Sequence, residues 1–301
     1  MGESLPSSGW RTFWTKRKDA KPSTTAASRA PVATPTCAAA SLGCTVVFGH
    51  SHLDPFIYAQ QARIDRGDPI GTHLHCIQMQ SERFRPNITT IDGRTVLHPE
   101  LRQRIETDIA GLPRVPPFVC ATVSGNEYFF VGHTEHPRPF DFVLPDRPEL
   151  PVRTGVEIIP PSLMRATLER STANALAIMS ALSETVDLPV VFIQSPPPVQ
   201  SDEHIRNNPG PFKEAIDETG VAPASLRMKL WLLQSLIYRR KCDELGWRFL
   251  DVPQEVLDSE GFLQQCAAWP DSVHGNVWYA DIFLRRIDTA YREALIPEVA
   301  Q

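Results

Sequence analysis

Hydrophobic and polar positions fall into two regimes. Residues 1–40 show no apolar period, whereas from Cys44 onward short apolar runs alternate with longer segments of helical spacing. Thr45-Val46-Val47-Phe48 reads as a strand buried on both faces, and the segment from Asp54 to Arg66 reads as a helix. His73 to Met79 predicts a second strand, and the Asp92-Gly93 pair within Ile88 to Val96 predicts a tight turn. A helix from Pro99 to Ile109 follows, then strands at Phe118 to Val123, Leu188 to Gln194 and Trp247 to Val252. The crossovers between these last strands carry long helical patterns. The first runs from about Ser162 to Thr185, entered through Pro160-Pro161 with Ser162 placed to cap it. The second runs from Ala224 to Leu245, with Leu226, Leu230, Leu233, Leu236 and Ile237 on one stripe and Gly246 just past its end. A last helix spans Asn276 to Leu295. Strands apolar on both faces and joined by crossover helices predict a parallel sheet covered on both sides.

Composition narrows the class without changing this picture. The chain has 301 residues, 42% apolar and 22% charged, which is enough for a full core. Its formal charge of −5 offers no basic field for nucleic acid. No apolar run approaches the roughly 20 residues that span a bilayer, so no integral membrane segment is expected. Residues 1–40 carry six Lys/Arg against two Asp/Glu and read as a disordered, basic Ser/Thr/Ala/Pro-rich tail, leaving 41–301 as one domain. Trp10 and Trp14 beside Lys16, Arg17 and Lys18 stand in that tail. The six cysteines form no C-x-x-C spacing, and Cys44, Cys76 and Cys120, in or beside strand-like runs, read as free, buried thiols, which argues for a reducing compartment. With no secretory h-region at the N-terminus, a cytoplasmic location is expected. The segment from Pro137 to Pro161 holds seven prolines and reads as a long, stiff loop.

Parallel sheets of this kind bind ligands at the carboxyl ends of their strands, where strand order reverses. The loops at those ends carry Gly49-His50-Ser51-His52 after the first strand and Ser124-Gly125-Asn126-Glu127 after the third. Asp271-Ser272-Val273-His274 precedes the last helix. A serine becomes a competent nucleophile when an imidazole takes its proton and a carboxylate fixes the tautomer of that imidazole. Ser51, His274 and Asp271 supply those groups, and the Ser51 N–H and the Asn126 amide supply donors for an oxyanion.

With a serine after the first strand, an asparagine after the third and Asp-x-x-His before the last helix, the chain resembles the SGNH/GDSL hydrolase superfamily. Leu188-Pro-Val-Val-Phe-Ile-Gln-Ser-Pro-Pro-Pro198 and Phe249-Leu250-Asp251-Val252 resemble its fourth and fifth strands. The resemblance implies a three-layer α/β/α sandwich around a flavodoxin-like, five-stranded parallel sheet. It also implies hydrolysis of an acyl ester through an acyl-serine, with no metal or other cofactor. Ser51 matches the nucleophile, His274 the general base, Asp271 its orienter and Asn126 the oxyanion-hole asparagine. Gly93, after the second strand, is read as the glycine that completes the oxyanion hole. The family's Gly-Asp-Ser-Leu reads Gly-His-Ser-His here, and its Gly-x-Asn-Asp reads Ser124-Gly125-Asn126-Glu127. Gly2-Glu3-Ser4-Leu5 imitates the name motif but has no strand before it. His50, Glu127 and His133 are expected to face a small-molecule or carbohydrate ester, with acetate as the acyl group. The competing expectation is a catalytically silent module that keeps the fold and binds a glycan or acyl group. Metallophosphoesterase chemistry requires Gly-Asn-His before Gly-His-x-His, the reverse of the order here. An α/β-hydrolase elbow, a Rossmann fingerprint and a P-loop are each missing from the sequence.

Overall fold

A computed structural model of the protein describes residues 43–68 and 70–295. The basic tail, with its tryptophans and its Gly2-Glu3-Ser4-Leu5 string, lies outside the described residues. The first strand, β1 (Gly43–Gly49), leads through a short turn into helix α1 (Asp54–Arg66) and strand β2 (Thr72–Gln78). An antiparallel hairpin, β3 (Ile88–Ile91) and β4 (Arg94–Leu97), follows, and then α2 (Pro99–Ala110). Strand β5 (Val119–Thr122) and the one-turn helix α3 (Phe129–Gly132) open the second half. Two-residue strands β6 (Phe140–Asp141) and β7 (Glu157–Ile158) pair within the proline-rich loop. Beyond them come α4 (Pro161–Thr185), β8 (Val190–Ile193), the short helices α5 (Asp202–Asn207) and α6 (Lys213–Thr219), and α7 (Ala224–Leu245). Strand β9 (Arg248–Leu250) and α8 (Val277–Leu295) complete the order.

The five long-range strands form one all-parallel sheet in the order β2-β1-β5-β8-β9, the flavodoxin-like arrangement. Alternation along each strand divides the core into two layers. Val46, Phe48, Val119, Ala121 and Phe192 face one way, against Leu101 and Ile105 of α2 and Ile178 and Leu182 of α4. Val47, Cys120, Val191 and Ile193 face the other way, against Phe56 and Ala59 of α1 and Phe283 and Ile287 of α8. The result is the expected α/β/α sandwich. Among the described residues no helix is long and apolar enough to cross a membrane.

Several local expectations are corrected. Ser162 lies inside the first turn of α4 and does not cap it, because the helix already begins at Pro161, with Pro160 at the cap position. Proline at the first helical position gives up an N–H that would have had no helical partner. The sequence pattern also gave no hint of α5 and α6, whose few apolar positions are too short a run to show a period. Cys44 is disulfide-bonded and not a free thiol, so cysteine usage no longer argues for a reducing compartment. Cys76 and Cys120 are free, and burial pushes the Cys76 thiol up to about 12 and Cys120 higher still, which makes both inert as nucleophiles.

The proline-rich loop is anchored by a buried ion pair. Lys229 of α7 and Asp141 of β6 are both fully buried and bonded to each other. Lys229 Nζ also donates to the Phe142 and Pro151 carbonyls, while the Asp141 carboxylate accepts the Phe142 and Arg153 N–H groups. Removing one partner strands the other charge in a dry interior, which typically costs about 3–5 kcal/mol. Lys229→Met is therefore expected to lower the unfolding free energy by about that amount in urea titration. A loss under about 1 kcal/mol would show that the loop does not depend on this pair.

Candidate active site

Strand order reverses between β1 and β5, because the chain leaves β1 on one side to build β2 and then crosses back to build β5 on the other. The carboxyl ends of these two strands therefore diverge and leave a crevice. Gly49 ends β1 where the strands crowd: a Cβ built there would lie 2.5 Å from Thr122 Cγ2 of β5. The chain then turns at His50 into a single 3-10 turn, Ser51–Leu53, that opens onto α1. Ser51 is thus presented at the strand edge, partly open to solvent.

The opposite side of the crevice comes from the segment before α8. His274 Nε2 lies 2.8 Å from Ser51 Oγ, and Nδ1 lies 2.8 Å from Asp271 Oδ2. The other oxygen of Asp271 accepts the backbone N–H groups of Val273 and His274, each at 2.8 Å. Burial pushes the Asp271 pKa up, but the His274 ring and the two backbone donors together outweigh it and hold the carboxyl below its ordinary value. Asp271 therefore stays charged, which places the His274 proton on Nδ1 and leaves Nε2 as an acceptor for the Ser51 hydroxyl. The segment is braced from outside: His204 of α5 donates from Nε2 to the Asp271 carbonyl at 2.8 Å, and the Trp269 N–H donates to the His274 carbonyl at 2.9 Å. Asn276 caps α8 by accepting the Trp278 and Tyr279 N–H groups.

Asn126 stands after β5, across the switch point from Ser51. Its Oδ1 lies 2.7 Å from His52 Nε2, and neither its amide hydrogens nor the Ser51 N–H has a partner among the described residues. The loop that carries Asn126 takes an unusual path, with Ser124 at φ +58° and Gly125 at φ +112°. A side chain at Gly125 would also strike Ser195, whose Cβ lies 2.6 Å from the position of the missing Cβ. Hydrogen bonds hold this path. Gln234 of α7 accepts the Tyr128 N–H through Oε1 and donates from Nε2 to the Gly125 carbonyl, each at 2.7 Å. Glu127 accepts the Gly125 N–H at 3.1 Å. His50 accepts the Ser124 N–H on Nδ1 at 3.2 Å and donates from Nε2 to Asn87 Oδ1 at 3.0 Å. Asn87 fixes that direction, since its own amide donates to the Met79 and Phe84 carbonyls.

Ser51, Asn126, Asp271 and His274 therefore stand together at one edge of the sheet. The other residues named from sequence do not join them as substrate contacts. Gly93 forms the exposed hairpin turn with Asp92, both at positive φ, and a Cβ built on it meets nothing within 4 Å. His50 is spent on Asn87 and Ser124, and Glu127 is buried against the loop backbone. His133 is buried between the rings of Phe129 and Phe212. The expectation was that these three face a substrate, whereas the structure turns each of them onto the protein itself. The β1–β2 register sets Gly49 beside Gln78, and the Met79 N–H donates to the Gly49 carbonyl at 2.7 Å, so Gln80 follows in the turn at the carboxyl end of β2. The Gln80 N–H has no partner among the described residues. Gln234, Asn87 and His204 also escaped the sequence reading. Only Gln234 left a signal there, as a glutamine interrupting the leucine stripe of α7.

No family model matches the sequence, and no curated protein matches it. The solved structures that it resembles include a lipase, an esterase and an acetyltransferase domain. One is a GDSL-like lipase from Bacteroides thetaiotaomicron, 14% identical over 84% of this chain and 89% of that one, with a TM-score of 0.42. Another is an acetylxylan esterase from Geobacillus stearothermophilus, solved as a catalytic mutant, 14% identical over 87% and 98% of the two chains with a TM-score of 0.37. A third is the periplasmic domain of a lipopolysaccharide acetyltransferase from Salmonella ser. Paratyphi A, 13% identical over 82% and 83%, with a TM-score of 0.40. At these identities and TM-scores the likeness assigns no chemistry, which has to come from the side chains.

Burial disfavours the charged form of several histidines near the site. It lowers the pKa of His50, and it takes His52 and His133 from 6.5 to about 3, with the His274 and Arg227 charges adding to the effect at His52 and His133 respectively. Between pH 6.5 and about 3 the unfolded chain binds protons at His52 and His133 that the folded chain refuses. Stability is therefore greatest above that window and falls as pH drops through it, by about 1.4 kcal/mol per pH unit for each such histidine. Urea midpoints measured from about pH 7.5 down to about pH 4.5 are expected to decline, and His133→Met is expected to remove one proton's share of the slope. An unchanged slope in that variant would contradict a neutral, buried His133.

Proposed function

We propose that the protein is a serine ester hydrolase of the SGNH/GDSL kind. The reading is carried by one observation, the unbroken path from the Asp271 carboxylate through the His274 ring to the Ser51 hydroxyl, with both bonds at 2.8 Å. In this mechanism Ser51 Oγ attacks the ester carbonyl as its proton passes to His274 Nε2. Asp271 steadies the imidazolium, which then protonates the departing alcohol. The oxyanion is held by the Ser51 N–H, the Asn126 amide hydrogens and the Gln80 N–H, donors without a partner among the described residues. Water activated by His274 releases the acid from Ser51 by the same path in reverse.

For the substrate, the proposal is a short acyl ester, acetate in the first instance, on a carbohydrate. Tyr58 of α1 stacks on Trp269 at 5.9 Å and 18°, and Trp269 is bonded to the loop that carries His274. Tyr58 is exposed, so this pair offers an aromatic face of the kind that receives a ring-shaped alcohol portion.

Removing an oxyanion donor costs about 10²- to 10³-fold in kcat, whereas losing a nucleophile or base costs on the order of 10⁶. Steady-state rates on p-nitrophenyl acetate are therefore expected to fall below detection in Ser51→Ala and His274→Ala but to stay measurable in Asn126→Ala. Small and equal losses in all three would sink the assignment. Across p-nitrophenyl esters of increasing chain length, kcat/KM is expected to peak at acetate, and a peak at long chains would replace the carbohydrate reading with a lipid one.

A further inference from the structure

His52 directly follows the proposed nucleophile, yet the mechanism above does not use it. It is almost fully buried, with 4% of its surface exposed, and its ring lies 4.7 Å from the His274 ring. Nε2 is 2.7 Å from Asn126 Oδ1, while Nδ1 is buried with no hydrogen-bond partner among the described residues. A neutral imidazole carries one proton, on one nitrogen or the other. On Nδ1 it would be a buried donor with nothing to accept it, a defect that costs about 1–3 kcal/mol. On Nε2 it meets the Asn126 oxygen. The proton therefore sits on Nε2, and the side-chain amide of Asn126 can take only one of its two flips. With its oxygen accepting from His52, both amide hydrogens are left for the oxyanion. The reverse flip would turn a carbonyl oxygen toward the developing negative charge.

We propose that His52 is a positioning residue which, as its Nε2–H tautomer, holds the Asn126 amide in the orientation that donates to the oxyanion. Its burial also keeps the ring uncharged, with a pKa lowered to about 3, so the bond persists wherever His274 is able to act as a base. A charge at His52 would oppose the imidazolium that His274 must become. The inference rests on the esterase reading for its kinetic consequence, but not for its structural one.

The test combines a double-mutant cycle with a direct reading of the tautomer. His52→Leu is expected to lower kcat on p-nitrophenyl acetate by about 10²- to 10³-fold, with KM changed by less than about 3-fold. His52→Leu combined with Asn126→Ala is expected to be no slower than Asn126→Ala alone, because both substitutions remove the same interaction. His52→Gln, whose amide nitrogen reaches the place of Nε2, is expected to recover activity to within about 10-fold of the unmodified enzyme. Multiplicative losses in the cycle, or a glutamine variant no better than the leucine one, would overturn the proposal. In the unmodified protein, ring ¹⁵N shifts of labelled histidine are expected to report His52 as Nε2–H from about pH 5 to about pH 8. A Nδ1–H or doubly protonated ring would overturn it whether or not the protein turns over an ester. An Nε2–H ring in a protein that hydrolyses no ester would uphold the positioning role while removing the proposed function.

Discussion

The short bond between Ser51 and His274 joins residues 223 positions apart, and the rest of the site depends on it. Neither residue is held by its own loop alone. Ser51 is placed by β1, the strand from which the sheet grows in both directions, and His274 by the segment that enters α8. Helices α8 and α1 pack together through one apolar layer, with Phe56 and Phe283 rings 5.9 Å apart. Arg63 of α1 adds a polar tie, since it binds both Asp281 and Asp288 of α8. The serine and the imidazole are thus held by two helices whose mutual position is set by the hydrophobic effect and by a largely buried guanidinium. Such rigidity keeps a donor and an acceptor in register before any substrate arrives.

The opposite wall is built from polar groups. The loop after β5 follows a strained path at Ser124 and Gly125, and such conformations persist only where surrounding contacts over-determine them. His50, Gln234 and Glu127 supply those contacts, each using a buried or half-buried side chain on a specific backbone group. An apolar substitute at any of the three would leave a loop N–H or carbonyl without its partner inside the protein. Side chains of ordinary polar type thus serve to shape the crevice, and among the described residues the Ser51 and Gln80 N–H groups and the Asn126 amide hydrogens are donors without partners. Unspent donors gathered at one sheet edge are what an oxyanion requires.

What the sequence discloses follows from the range of each interaction. Strand and helix patterns are local, so β1, β5, β8 and the long helices are legible to within one or two residues, whereas the sheet order is implied only by the family resemblance. Ser51, Asn126, Asp271 and His274 were named because each stands at a recognisable place, after a strand or before a helix. Gly93 was misread for the same reason: a glycine after the second strand satisfies the pattern, but its φ of +76° is used by a hairpin turn. The backbone N–H of Gln80 carries no side-chain signature that a sequence pattern could show. His50 and Glu127 showed their residue type but not their direction, because their partners Asn87, Ser124 and Gly125 are set by how the loops cross. His133 was expected to face a substrate, but the packing of Phe129 and Phe212 encloses it.

The central claim is that the Ser51 hydroxyl is activated as a nucleophile. A fluorophosphonate probe reacts covalently with an activated serine and leaves an adduct that peptide mass spectrometry can place. The account predicts a single phosphonyl group on the peptide containing Ser51, formed by the folded protein and not formed when the protein is unfolded in urea before the probe is added. Folded protein that stays unlabelled, or that carries the adduct on another serine, would contradict it and return the chain to the reading of a silent binding module.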